Sequence, residues 1–334
     1  MKQPVRNTLI PGIIAVFLVV VPALLIRAGM INAYYAQVLI SAGINTIMAI
    51  SVNVVVGITG QLSLGQAGFM AIGAYACMFF SGDLGLPLPL GLLLAALVAA
   101  FAGFLIGFPS LKLTGDYLAI VTLGFGEIIR VLLTNLKSIT EGPDGKKFTT
   151  ILQDINSGPF LSFLVVIGSL ALIVVLLHNF LRSTYGRAIF AVREDEIAAN
   201  SSGINIFRYK MIAFVIGAFI AGIGGSLYAM FIGFINPDMA SFSKSIDYLI
   251  YVVLGGMGSM TGTIIATYSL YMLQEFLRFL QNYRLLIYPV ILILVMIFRP
   301  QGLMGMKELS FVRLTRRFVR FSRKLLMRYS GKAE

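Results

Sequence analysis

Catalytic chemistry has few places to start in this chain. Its 334 residues include one histidine, His178, and one cysteine, Cys77. A zinc cluster, a Cys/His nucleophile pair and a di-iron site of the Glu-x-x-His type each need more than that. No G-x-x-x-x-G-K-[ST] loop occurs, so the chain carries no signature for nucleotide hydrolysis. Cys77 reads as a small buried apolar residue. His178 stands where a charge-free run ends and reads as an interfacial polar residue. No metal site is expected.

The polar groups that remain are concentrated in unusual places. One stretch runs Gly57-Ile58-Thr59-Gly60-Gln61-Leu62-Ser63-Leu64-Gly65-Gln66-Ala67-Gly68. It carries glycines, side-chain amides and hydroxyls but no charge. Amides in hydrocarbon need partners, and glycine weakens a helix. Such backbone is tolerated where it packs on protein or lines a wet cavity. A second stretch, Val252-Val253-Leu254-Gly255-Gly256-Met257-Gly258-Ser259-Met260-Thr261-Gly262, echoes the first at an offset of 198 residues. Val54-Val55-Val56-Gly57 aligns with Val252-Val253-Leu254-Gly255, and Gly60 with Gly258. Glycine-interrupted segments at corresponding positions of two halves point to a transport pathway. Two readings stand side by side. The segments are tight packing alone, or broken helices lining a solute path through Gly57, Gly60, Gln61, Ser63, Gly65, Gln66, Gly255, Gly256 and Gly258.

The elements that hold these groups follow from composition. Hydrophobic residues make up 58% of the chain and charged residues 12%, against about 25% charged in soluble domains. A water-soluble or disordered chain is excluded. Charge-free intervals predict spans at 8–26, 34–56, 66–81, 89–108, 117–136, 159–181, 209–232, 245–258, 262–279 and 284–298. The first of these is too long for a removed leader. The expected fold is an all-α polytopic membrane protein of about ten spans, in two related halves joined near 137–158. Glycine-interrupted helices line its centre. Glu127 and Arg130, three apart on one helix face, fall within a span. They read as a mutually neutralised intramembrane charge pair facing protein, or as a functional polar site.

Lys and Arg number 26 against 14 Asp and Glu, a net +12. Ten of the basic residues lie in 299–334, a tail set apart from the transmembrane region 1–298. Wound as a helix, 311–329 puts Phe311, Leu314, Phe318 and Phe321 on one half and Arg313, Arg316, Arg320 and Arg323 on the other. That is a basic amphipathic helix suited to anionic membrane lipid. By the positive-inside rule the tail puts both termini in the cytoplasm. No nucleic-acid fold is apparent, so nucleic acid is not an expected partner.

The longest inner loop spans 182–208, and within it 193–202 reads as a short helix. Glu194, Asp195 and Glu196 sit near its N-terminus, where the helix dipole favours anions. Gly203 is its C-terminal stop. The run Glu196-Ile197-Ala198-Ala199-Asn200-Ser201-Ser202-Gly203 resembles the "EAA" loop of ABC importer permeases. Strict spacing puts Ile197 in the Glu position, with Glu196 one residue earlier. Taken with Gly60 through Phe69, Thr140-Glu141-Gly142-Pro143-Asp144-Gly145, Leu254 through Gly258 and Phe298-Arg299-Pro300-Gln301-Gly302-Leu303, the chain resembles the LivM-type branched-chain amino acid permease family.

That resemblance implies a transport subunit of the bacterial inner membrane, not an enzyme. It implies a second related permease as heterodimer partner, two ATPase subunits and an external solute-binding protein. ATP and Mg would reside on the ATPases, with no cofactor on this chain. The solutes would be Leu, Ile and Val. Arg193, Glu194, Glu196, Ala198, Ala199 and Gly203 would couple to the ATPase, and Glu141, Asp144 and Lys147 would meet the binding protein. Permeases for urea, short amides or other small polar solutes share much of this pattern. An ion-coupled secondary transporter is the rival mechanism, and Glu127 is the acidic residue it would use.

Overall fold

The computed structural model describes residues 25–26, 29, 32–113, 115–153, 158–299 and 301–305. The expected span at 8–26, apart from its last two residues, and the expected tail helix at 311–329 lie outside these. Helices dominate because hydrocarbon offers the backbone no hydrogen-bond partners, so each segment must pair its own N–H and C=O groups.

The first helix, α1, is Ala33–Val52, and a π-helical turn extends it over Asn53–Ile58. A non-helical stretch follows, and then α2, Gln66–Cys77, which widens into a π-helical turn over Met78–Asp83. Next come α3, Leu88–Ser110, α4, Asp116–Asn135, and α5, Gly158–Arg182. The loop helices are α6, Thr184–Glu194, and α7, Glu196–Ser201. Then follow α8, Ile206–Ile232, α9, Phe242–Gly255, α10, Met260–Phe276, and α11, Arg284–Phe298.

Five helical segments among the described residues are long and apolar enough to cross a membrane: Ala33–Ile58, Leu88–Ser110, Asp116–Asn135, Pro159–Arg182 and Ile206–Ile232. They match the expected spans at 34–56, 89–108, 117–136, 159–181 and 209–232. The segments expected at 245–258 and 262–279 are α9 and α10, which fold back at 119° and count together as a sixth candidate. The segment expected at 66–81 is the short α2, and 284–298 is the short apolar α11, which contains Pro289.

The core is organised by α8. Its face carries Gly217, Ala218, Ala221, Gly222, Gly225 and Ser226, all buried. Lipid tails are as apolar as the side chains, so association here rests on close packing and polar contacts rather than on the hydrophobic effect. A methyl group on Gly222 would stand 2.6 Å from Ala99 Cβ on α3. One on Gly73 of α2 would overlap Gly222 itself. The Ser226 hydroxyl lies 2.8 Å from the Gly222 carbonyl and 3.3 Å from that of Gly73. Cys77 is buried at the end of α2, and His178 is exposed in the last turn of α5.

One end of the bundle is closed by a two-stranded antiparallel pair, β1 (Lys146–Lys147) with β2 (Phe234–Ile235). Lys146 also pairs with Asp83 at 2.7 Å, and Thr150 Oγ1 donates to the Met230 carbonyl at 2.7 Å. The loop carrying α6 and α7 is at the other end. Gly222→Leu should force α3 and α8 apart, an overpacking cost of about 1–3 kcal/mol or more. A fall in the thermal unfolding midpoint of the purified protein checks this.

Candidate functional site

The loop 182–208 is two helices rather than the single helix expected at 193–202. Asp195 breaks them apart. Its carboxylate accepts hydrogen bonds from the backbone N–H of Ile197 at 2.8 Å and of Ala198 at 3.0 Å, making it the N-cap of α7. An N-cap residue takes extended rather than helical backbone, so the chain turns there. Arg193 and Glu194 consequently belong to the last turn of α6. At the far end Gly203 has φ +80°, and Ile204 N–H reaches the Ala199 carbonyl at 3.0 Å while Gly203 N–H reaches Asn200 at 2.9 Å. That is a Schellman stop, which favours glycine at the left-handed position.

The result is a short projecting knob. Ile197 is 81% exposed, and Glu196, Ala198, Asn200 and Gly203 are exposed beside it. Ala199 is buried against the bundle. Glu196 pairs with Lys210 of α8, whose side chain is buried. This ion pair ties α7 to the central helix.

Arg193 makes the other connection. A methyl group on Gly60 would meet its Cγ at 3.4 Å, and one on Gly258 would meet its Nη1 at 2.6 Å. One side chain of α6 therefore lies over both glycine-rich segments. Those segments also meet each other. Asn53 Oδ1 accepts a hydrogen bond from Gly258 N–H at 2.9 Å, and a methyl on Gly57 would overlap the Gly258 nitrogen. The two stretches 198 residues apart in sequence are thus joined at one point.

Each break is covered by protein. At the first, Leu64 N–H donates to Thr122 Oγ1 of α4 at 3.0 Å, and a methyl on Gly65 would sit 2.6 Å from the Thr122 carbonyl oxygen. Ala67 N–H, at the start of α2, donates to Ser245 Oγ of α9 at 3.3 Å. Gln61, Ser63 and Gln66 are buried. Gln66 Oε1 lies 2.9 Å from the Ser51 hydroxyl, but the Gln61 amide, Ser63 Oγ and Gln66 Nε2 have no hydrogen-bond partner among the described residues. At the second break, Gly255 packs on Thr263 and Gly262 of α10, and Gly256 on Gly305. Leu303 N–H donates to the Leu254 carbonyl at 2.7 Å. The motif that begins at Phe298 thereby satisfies an orphan carbonyl at the end of α9.

Glu127 and Arg130 do form a pair, at 2.7 Å. It stands near the hairpin end of α4. Glu127 Oε1 also accepts from Phe242 N–H, the first residue of α9, at 3.3 Å, and Arg130 lies 3.7 Å from Asp238. The partly exposed pair thus contacts the start of α9.

One polar feature escaped the sequence reading. A cavity of about 450 Å³ lies between α1, α8, α9 and α10. Asp247, Lys244, Tyr248, Tyr251, Tyr271 and Gln274 are among its lining residues. Glu127 is therefore not alone as an acidic side chain within the helices: α9 carries Asp247 in its second turn. The signal was the i, i+3 and i, i+4 spacing of Lys244, Asp247, Tyr248 and Tyr251.

Comparison with known proteins follows the same lines. The family model described as the branched-chain amino acid transport system / permease component matches residues 34–298. The chain belongs to this family. It is 40% identical over 286 residues to a Salmonella typhimurium protein named high-affinity branched-chain amino acid transport system permease protein LivM, covering 78% of this chain and 67% of that protein. The Escherichia coli LivM is 39% identical with the same coverage. The Salmonella LivH permease is 34% identical over 139 residues, 39% of this chain and 42% of that one. The chain thus spans about two thirds of the LivM proteins. No solved structure matches it. Family membership and the apolar helices make the chain a multi-pass membrane protein of the transport-permease type, and not an enzyme.

Two outcomes test this geometry. Glu196→Ala strands a buried ammonium, whereas Lys210→Met leaves a half-exposed carboxylate that water reaches. The first should cost about 1–3 kcal/mol and the second less, read as unfolding-midpoint shifts. Gly65→Leu should fail by packing: the variant unfolds earlier and assembles poorly, and uptake falls in proportion to the assembled fraction.

Proposed function

We propose that this chain is the permease subunit of an ABC importer for Leu, Ile and Val in the bacterial inner membrane. Two ATPase subunits would drive it, a second related permease would pair with it, and an external binding protein would deliver solute. The observation that carries the reading is Arg193, packed over Gly60 and Gly258 at once. Movement of an exposed loop helix therefore acts directly on both broken segments. The Glu196–Lys210 pair supplies a second link, from α7 to α8. The names of the LivM relatives support the solute class.

In this reading the exposed face of α7, with Ile197 at its tip, enters a groove on the ATPase. ATP-driven closure of that partner moves α7 and, through Arg193 and Lys210, the junction of the two breaks. Gly57, Gly60, Gln61, Ser63, Gly65, Gln66, Gly255, Gly256 and Gly258 border the path that opens. The unpaired amide and hydroxyl groups of Gln61, Ser63 and Gln66 are the polar lining it would expose. The ten crossings comprise 8–26 and the nine helices α1 to α5 and α8 to α11, with both termini cytoplasmic and 311–329 lying on anionic lipid. Five crossings on each side of the loop at 137–158 form the two halves.

The test is uptake in proteoliposomes holding the permease pair, the ATPases and the binding protein. Leucine uptake should require ATP and all components. Uptake by the permease alone on an ion gradient would overturn the reading. Gly203→Val adds a side chain where φ is +80°, at a cost of about 1–2 kcal/mol. Nothing lies within 4 Å to clash with it, so the penalty falls on the α7 stop alone. The assembled variant should hydrolyse ATP while moving less leucine per ATP.

A further inference from the structure

We propose that the cavity between α1, α8, α9 and α10 is a solute-binding site of the permease itself, taking the zwitterionic head of a free α-amino acid. The proposal rests on the transport reading above and adds a site to it.

The cavity, about 450 Å³, is within the usual size of small-molecule pockets, ~300–1,000 Å³. Its chemistry is selective. Asp247 is only partly buried, yet no ion pair among the described residues includes it. A carboxylate held in an apolar bundle with no close ion-pair partner marks a functional site by default. Tyr228, Tyr248, Tyr251 and Tyr271 line the same space. Tyrosine faces attract cations, and most strongly where water is excluded. Lys244 lies one helical turn from Asp247 on the same face, exposed at the rim. It offers an anion site beside the cation site. Ile44, Met70 and Met239 supply apolar wall.

These groups match one ligand pattern: a primary ammonium at Asp247 and the tyrosines, a carboxylate at Lys244, and an aliphatic side chain against Ile44 and the methionines. A metal ion fits poorly, since the described residues hold no cluster of three or more His, Cys, Asp or Glu. A second pocket shares Asp247, Tyr271 and Gln274 as wall residues and reaches Tyr288 and Pro289 of α11. An ethanolamine lipid headgroup carries the same ammonium and anion, so the test must separate that source from free solute.

The test uses the assembled transporter in nanodiscs of phosphatidylglycerol alone. Cys77 is buried and is the chain's one cysteine, so the unmodified protein gives a low background. Gln274→Cys, on the cavity wall, is modified by a water-soluble thiol reagent with and without solute. l-Leucine should slow modification several-fold. 4-Methylpentanoate, which lacks the ammonium, should not. Asp247→Asn should abolish protection and Asp247→Glu should restore it in part. Equal protection by the deaminated acid, or full protection in Asp247→Asn, would overturn the proposal. Protection seen only after adding phosphatidylethanolamine would assign the site to lipid and overturn it too. Leucine uptake in parallel keeps the two readings apart. ATP-driven uptake without cavity protection defeats this site alone, whereas absence of uptake by the intact system defeats the transport reading.

Discussion

Everything in this fold depends on one constraint: backbone that leaves the helix inside a membrane must find its partners in protein. The chain breaks its helices at two places and meets the requirement by joining the breaks. Asn53 of the first accepts from Gly258 of the second, Thr122 of α4 accepts from Leu64, and the segment ending at Gly305 bonds to the end of α9. Glycine is required at Gly57 because the two backbones touch there, and a side chain would separate them. The breaks are thus covered rather than open, and they sit at the end of the bundle that carries the loop helices.

That placement turns a packing solution into a mechanical one. Arg193 lies over both breaks, and Lys210 holds Glu196 from the central helix. Both links start in the loop 182–208 and end in elements that pack against most of the bundle. Under the proposed importer reading, an ATPase docked on this loop would have two short levers to the core. The opposite end is built differently. There the β1–β2 pair, the Lys146–Asp83 bridge and the contacts of Glu127 and Arg130 fasten the ends of α2, α4, α8 and α9 to one another. The cavity holding Asp247 lies among α1, α8, α9 and α10 and is bordered by Asp238, a partner in these ties.

The sequence was legible wherever a local pattern carried the physics. Charge-free length located the five long spans, because hydrocarbon thickness sets helix length. The stop at Gly203 and the acidic start near Asp195 could be read from cap chemistry. The same reading started one helix at Arg193 and passed over most of α6, because it took three acidic residues as a first turn and missed that Asp195 would leave the helix to cap the next. Asp247 was passed over because a charge near the end of an apolar run looks like a boundary, and only the packing of α1 and α10 makes it a cavity wall.

Sequence alone determined that this is a helical membrane protein with a capped loop helix and two related glycine-rich segments. Those properties follow from hydropathy, capping and repetition, which act over a few neighbouring residues. The tertiary structure alone decided that the two segments touch, that Arg193 spans them, and that Asp247 lines one cavity with four tyrosines drawn from three helices. The first two bring together distant segments, residue 53 with 258 and 193 with 60, and the third gathers side chains from three helices, and no local propensity encodes such a meeting. It is set by which small-residue faces let helices approach, and above all by the glycine face of α8, around which the others pack.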